Sequence, residues 1–188
     1  RKDHWIASEK HGRISKHSLT PEGRAESQMA SGRIYDAPDS MGADWQMVLL
    51  ESPLPEDPKG FVSIAPRLYA GSVHLTPPAG AFVTQHTQAP EWLQRQLEPA
   101  HLTQSYLQLQ RALQHAVAHL PPWEALAPLQ TAILRCLIVH NWRRLALKHP
   151  ALPLALMRDD WTGLVVHRLV TDLLAAYPRP PLAKITAV

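Results

Sequence analysis

The sequence is poor in the residues on which several functional classes depend. A single cysteine, Cys136, excludes an intrachain disulfide framework and fits a reducing, cytoplasmic compartment. Eight glycines leave few loops able to cradle phosphates, and no Gly-x-Gly-x-x-Gly, Walker or Gly-x-Ser-x-Gly pattern occurs. Charged residues make up 19%, below the roughly 25% of an average soluble domain. No run of about 18 apolar residues is present, so no membrane-spanning helix is expected. The longest run, Ile133 to Val139, is interrupted by Arg135. An apolar signal-peptide core is also missing. The opening Arg1-Lys2-Asp3-His4-Trp5-Ile6 reads like the inside of a domain, so preceding residues are expected.

Proline, by contrast, is abundant: 18 residues, about twice average usage. Hydrophobics at 45% suffice for a sizeable core in 188 residues, and the net charge is a modest +3. Residues 1 to 35 are basic and polar. Trp5-Ile6-Ala7 and Ile14 to Leu19 have the alternation of two short strands, joined by a turn through Gly12. Thr20-Pro21-Glu22-Gly23 then predicts a helix start, with Thr20 as cap and Pro21 at the first helical position. Residues 34 to 84 read as β-rich, with strands at Trp45–Leu50, Phe61–Ala65 and Ala81–Thr84 and weaker ones at Arg67–Tyr69 and Ser72–Leu75. Prolines 53, 55 and 58 leave no room for a helix between the first two. From about residue 91 the pattern is helical. Leu102, Tyr106, Leu109, Leu113, Val117 and Leu120 form one stripe. Leu126, Leu129, Ile133, Leu137 and His140 form a second, and Val166, Leu169, Val170, Leu173 and Tyr177 a third. Asp159 or Asp160 is the expected cap of that third helix.

Four constellations could carry chemistry. Lys10, His11, Arg13, Lys16 and His17 cluster on the hairpin, where cations can contact DNA phosphates or simply face solvent. His115 and His119 stand one helical turn apart, but no carboxylate or cysteine completes a metal set, so no metal site is expected. His140-Asn141-Trp142-Arg143-Arg144 precedes Asp159-Asp160-Trp161. The two arginines could pair the two aspartates, or the segment could hold a phosphate or carboxylate with tryptophan stacking. Cys136 reads as a core residue, with His140 one turn away should it be a nucleophile.

Two likenesses extend this. The strand ending in Leu19-Thr20-Pro21-Glu22-Gly23-Arg24 resembles the wing of winged helix-turn-helix regulators. Leu137 to Leu145, then His149-Pro150-Ala151-Leu152-Pro153, then Asp159-Asp160-Trp161-Thr162-Gly163, resemble the "LVHxxRR", "DPxLP" and "DWPG" segments of the PaaX-like family. These are bacterial repressors of phenylacetic acid degradation. Gly32-Arg33-Ile34-Tyr35, Trp45 to Leu50, and Gly60-Phe61 with Ala65 to Tyr69 resemble further segments of that family. His149 stands where the family has Asp, and Thr162 where it has Pro.

The resemblance implies an α+β regulator in three parts. Residues 1–30 would be the wing end of a winged helix-turn-helix domain, its recognition helix lying outside this chain. Residues 31–90 would be a ferredoxin-like (Cas2-like) central domain, with residues missing where its helices belong. Residues 91–188 would be a helical regulatory domain. It further implies a homodimer on double-stranded operator DNA, released by an aryl-acetyl coenzyme A such as phenylacetyl-CoA. Arg67, His140, Trp142, Arg143, Arg144 and Trp161 become the candidate effector contacts. No catalytic residue, cofactor or membrane contact is expected. The alternatives are a regulator of this build with another ligand or a protein partner, and a small acyl-CoA hydrolase using Cys136 and His140.

Overall fold

The computed structural model describes residues 5–12, 14–38, 42–149 and 152–185. The described residues form an α+β fold with five helices and two antiparallel sheets. The chain forms two compact units, Arg1–Asp36 and Ala37–Val188.

In the first unit, β1 (Ile6–His11) pairs antiparallel with β2 (Ile14–Leu19), His11 lying opposite Ile14. Gly12 has φ +63, the left-handed conformation a two-residue hairpin turn requires. Helix α1 (Pro21–Tyr35) starts as its sequence predicts. The Gly23 amide donates to Thr20 Oγ1 at 3.0 Å, and Pro21 occupies the first turn. Gly23 also has a tertiary reason. A Cβ there would lie 2.3 Å from the Trp5 carbonyl oxygen, so only glycine lets the helix start this close to the chain entering β1. The helix runs unbroken to Tyr35, so Ile34 and Tyr35 are helical rather than the start of the β-rich region.

The second unit begins with a four-stranded antiparallel sheet. Its strands are β3 (Trp45–Leu49), β4 (Val62–Ala65), β5 (Leu68–Ser72) and β6 (Phe82–His86), in the spatial order β4-β5-β3-β6. The two weak candidates around residues 67–75 merge into β5. Leu75 instead closes a turn on the Ser72 carbonyl. Val48, Leu50, Phe61 and Tyr69 form the core of this sheet. Buried Gln46 steadies the turn, its amide donating to the carbonyls of Ser72 at 2.8 Å and Leu75 at 2.7 Å. As the prolines require, no helix lies between β3 and β4.

Helix α2 (Glu91–Leu97) ends before Pro99, which opens α3 (Ala100–His119). Gln96 donates to the Ile64 carbonyl at 2.7 Å, tying α2 to the sheet. Helices α4 (Pro128–Ala146) and α5 (Thr162–Ala176) complete the unit. The stripe of α3 is buried at Leu102, Tyr106 and Leu113, and that of α5 at Val166, Val170 and Leu173. Helix α4 departs from expectation. Its buried face is Thr131, Ile138, Trp142 and Ala146, while Leu129, Ile133 and Leu137 are exposed. The helix is apolar on both faces, so periodicity alone could not choose between them. At α5 the cap position falls on Trp161, and neither Asp159 nor Asp160 serves.

Candidate functional site

The hairpin divides its cations between two faces, because directly opposed residues of an antiparallel pair share a face. Lys10 stands opposite Ser15, and His17 opposite Ser8, whose hydroxyl hydrogen-bonds the imidazole Nδ1 at 2.8 Å. These share one face. Lys16 lies on the other, opposite Glu9. Lys10, Lys16 and His17 are exposed, whereas Arg13 and the side chain of His11 lie outside the described residues. The two lysines therefore flank a thin ribbon and do not form one flat patch.

The second site lies between α3 and α4. These helices leave a surface groove of about 480 Å³, within the size range of small-molecule sites. The second half of α3 supplies Ala112, Leu113 and Ala116, and the middle of α4 supplies Leu134, Leu137 and Ile138. The remainder is mostly polar: Ser105 and Gln108 from the first half of α3, with Asn141, Arg144 and Lys148 from the C-terminal end of α4 and just beyond. This is the lining expected of an antiparallel helix pair. It gives a groove that is apolar at one end and dicationic at the other. Asn141 donates to the Leu137 carbonyl at 2.8 Å, which fixes its amide on the groove wall.

Of the effector candidates, Arg144 alone lines this groove. Arg143 and His140 are exposed on α4, outside it. Arg67 belongs to the β4–β5 turn, where it has φ 69 and donates to the Glu51 carbonyl at 2.9 Å. Trp142 and Trp161 are core residues, 4% and 8% exposed, and not the walls of an open pocket. Their rings build an aromatic cluster. Tyr106 meets Trp161 edge-on at 5.3 Å, His149 lies on Trp161 at 4.5 Å, and His167 on Trp142 at 4.7 Å. The expected pairing of Arg143 and Arg144 with the two aspartates is also replaced. Arg158 holds Asp160 at 2.5 Å and Arg168 approaches Asp159 at 3.8 Å. The sequence reading missed Lys148, Ser105 and Gln108. Arg144 and Lys148 are four residues apart near the end of one helix, a spacing that was visible. The hollow they serve depends on tertiary packing.

Cys136 is exposed, which corrects its assignment to the core. His115 and His119 stack at 4.1 Å on α3, and no group of three or more potential metal ligands occurs among the described residues. Around Arg158 the carboxyls respond in opposite directions. Burial holds Glu98 above the usual carboxylate range, opposed by Arg158, whose Nε lies 3.7 Å away. A hydrogen bond from Arg158 holds Asp160 below it.

Comparison with known proteins bears directly on the helical part. Residues 97–181, from the end of α2 to beyond α5, match the family model of the PaaX-like protein C-terminal domain. The chain carries a PaaX-like C-terminal domain. Over this stretch the match agrees with the resemblance read from the helical residues, and the family it names is one of transcription regulators linked to phenylacetic acid catabolism. No match is found among curated proteins. Among solved structures, an uncharacterized protein from Mycobacterium tuberculosis is similar at TM-score 0.40 and 14% identity, over 86% of this chain and 71% of that one. No helix among the described residues is long and apolar enough to cross a membrane.

The PaaX-like segments have a clear physical role here. Trp142 and Trp161 come from separate segments and meet around Tyr106, and His149, from a third segment, lies on Trp161. A Cβ on Gly163 would lie 2.1 Å from the Trp161 ring, so the glycine is what lets the indole fold over the first turn of α5. Arg135, which interrupts the apolar run of α4, donates to the carbonyls of Leu174 and Tyr177 and so completes the C-terminus of α5. In this PaaX-like domain the most recognisable residues thus hold the bundle together, and the groove lies beside them.

Proposed function

We propose that the chain is part of a DNA-binding transcription repressor of phenylacetate or related aromatic catabolism, released by an aryl-acetyl-CoA. The observation that carries this reading is the PaaX-like domain over residues 97–181. The hairpin acts as the wing of a winged helix-turn-helix domain. Lys10 and Lys16 contact phosphates on either side of the ribbon, which positions the protein without reading bases. The sheet order β4-β5-β3-β6 supports the ferredoxin-like (Cas2-like) reading of the central segment, since a split β-α-β sheet interleaves its strands in this way. Both crossover connections are helix-free here.

The α3–α4 groove is the effector site of this proposal. Its apolar end suits the aryl-acyl and pantetheine parts of the ligand, and Arg144 and Lys148 suit the phosphates. The ligand acts by population shift: it binds better to the form with low operator affinity and so favours that form. Fluorescence anisotropy with promoter DNA from an aromatic-catabolism operon tests the reading. Binding that falls steeply with salt and is reversed by phenylacetyl-CoA is the expected result. Operator binding that is indifferent to every acyl-CoA leaves the second reading, a regulator of the same build with another ligand or a protein partner.

The exposed Cys136, one turn from His140, is the observation that favours acyl-CoA hydrolysis instead. Thioesterase activity that disappears in Cys136→Ser would establish it. The repressor reading expects no turnover.

A further inference from the structure

His115 and His119, on the last turns of α3, have no part in the DNA or ligand readings. They stand one helical turn apart and are both exposed, with ring centroids 4.1 Å apart and planes inclined at 31°. One bond fixes how the pair presents itself. His119 Nδ1 lies 2.8 Å from the His115 carbonyl oxygen. A carbonyl oxygen only accepts, so Nδ1 carries the hydrogen, and in the neutral ring Nε2 keeps the lone pair. A metal-ligating histidine is oriented by the same kind of bond from its other nitrogen. We propose that His115 and His119 form a two-histidine site for a divalent transition-metal ion of the zinc or nickel kind, its remaining positions taken by water.

Spacing, charge and chemistry agree. Two nitrogens on one ion stand ~3 Å apart, given metal–nitrogen bonds of about 2.0–2.1 Å. Rings 4.1 Å apart are already close to that spacing. The ion meets the C-terminal end of a 20-residue helix, where the backbone dipole favours positive charge. No lysine or arginine occurs between Arg111 and Arg135, and Glu124 is the one acid in that stretch, so the neighbouring sequence brings no cation to oppose the ion. Imidazole nitrogens suit zinc, nickel and copper, whereas magnesium and calcium prefer oxygen. The pair also has a definite place on α3. Gln108 and His115 are seven residues apart, as are Ala112 and His119, and residues seven apart lie on nearly the same side of a helix. Gln108 and Ala112 line the α3–α4 groove. The histidines thus continue the α3 wall of the groove beyond its apolar end, away from Arg144 and Lys148.

Calorimetric titration of the chain with zinc chloride and with nickel chloride tests the proposal, with thermal melts as a second measurement. Two protein ligands make a weaker site than the four of a structural zinc centre, so one ion should bind with a micromolar Kd. Magnesium should give no heat. Zinc should raise the melting temperature of the parent. His115→Ala and His119→Ala should each weaken binding by at least ~10-fold and remove most of that rise, with unchanged circular dichroism spectra. His101→Ala, at an exposed position near the start of α3, should leave both unaltered. No heat with either ion at millimolar concentration overturns the proposal, as does binding that survives both substitutions. Because the assays use metal salts and neither DNA nor acyl-CoA, failure here is separate from failure of the repressor reading.

Discussion

At the scale of single residues, packing decides what the recognisable positions do. Gly163 has no room for a methyl group, because the Trp161 ring occupies that space and is itself held by Tyr106 and His149. Gly163→Ala should therefore cost about 1–3 kcal/mol through overpacking, measured by chemical denaturation. Arg135→Met should cost about 2 kcal/mol by stripping a cation from two carbonyls at the end of α5. Only the first of these constraints has a signal in the sequence, a Trp-x-Gly at a helix start. Arg135 looked like an interruption because its acceptors lie 39 and 42 residues away.

The carboxyls around Arg158 yield a pH prediction of the same kind. The Glu98 pKa is raised in the folded state, so its ionised form disfavours folding, and its contribution improves as pH falls through the carboxylate range. The Asp160 pKa is lowered, so its contribution is present above the unfolded value of 3.8 and is lost below it. Glu98→Gln should accordingly gain stability relative to the parent at pH 7, and that advantage should shrink towards pH 4. Parallel thermal melts at the two pH values measure it. An advantage that grows on acidification would contradict the assignment.

At the scale of elements, legibility followed the number of apolar faces. Helices α3 and α5 have one apolar stripe each, and their buried residues were readable at a period of 3.6. Helix α4 has two, and the stripe that looked like core faces outwards, while Ile138 and Trp142 carry the burial. The hairpin and the start of α1 were legible because local chemistry sets both: a glycine turn, a threonine cap and a proline at the first turn. Merging of the two weak strands into β5 depended on pairing with β3, which local propensity does not encode. The groove also belongs to this scale, for it exists only between two helices. Arg144→Ala and Lys148→Ala should each weaken phenylacetyl-CoA binding about tenfold, with thermal stability unchanged because both side chains are exposed. A loss confined to Arg143→Ala would move the site out of the groove.

At the scale of the whole molecule, the resemblance in the sequence and the family match agree on the same helical residues. The two compact units correspond to two expected tasks, phosphate contact on the hairpin and ligand binding beside α4. Alanines at Lys10 and Lys16 should lower the salt dependence of DNA binding, the slope of log K against log salt falling by about 2. Ligand affinity should be unaffected, since the residues proposed to hold the ligand belong to the other unit. Coupling is reciprocal, so a ligand that weakens operator binding is itself bound less tightly by the DNA-bound protein.

The most direct test of the central claim, a PaaX-like regulator that senses an aryl-acyl-CoA, is calorimetric titration of the chain with phenylacetyl-CoA. Free coenzyme A and phenylacetate serve as controls. Micromolar binding of the thioester, much weaker binding of either fragment, and a clear loss in Arg144→Ala are predicted. A folded sample that gives no heat with the thioester, or binds free coenzyme A equally well, would contradict it.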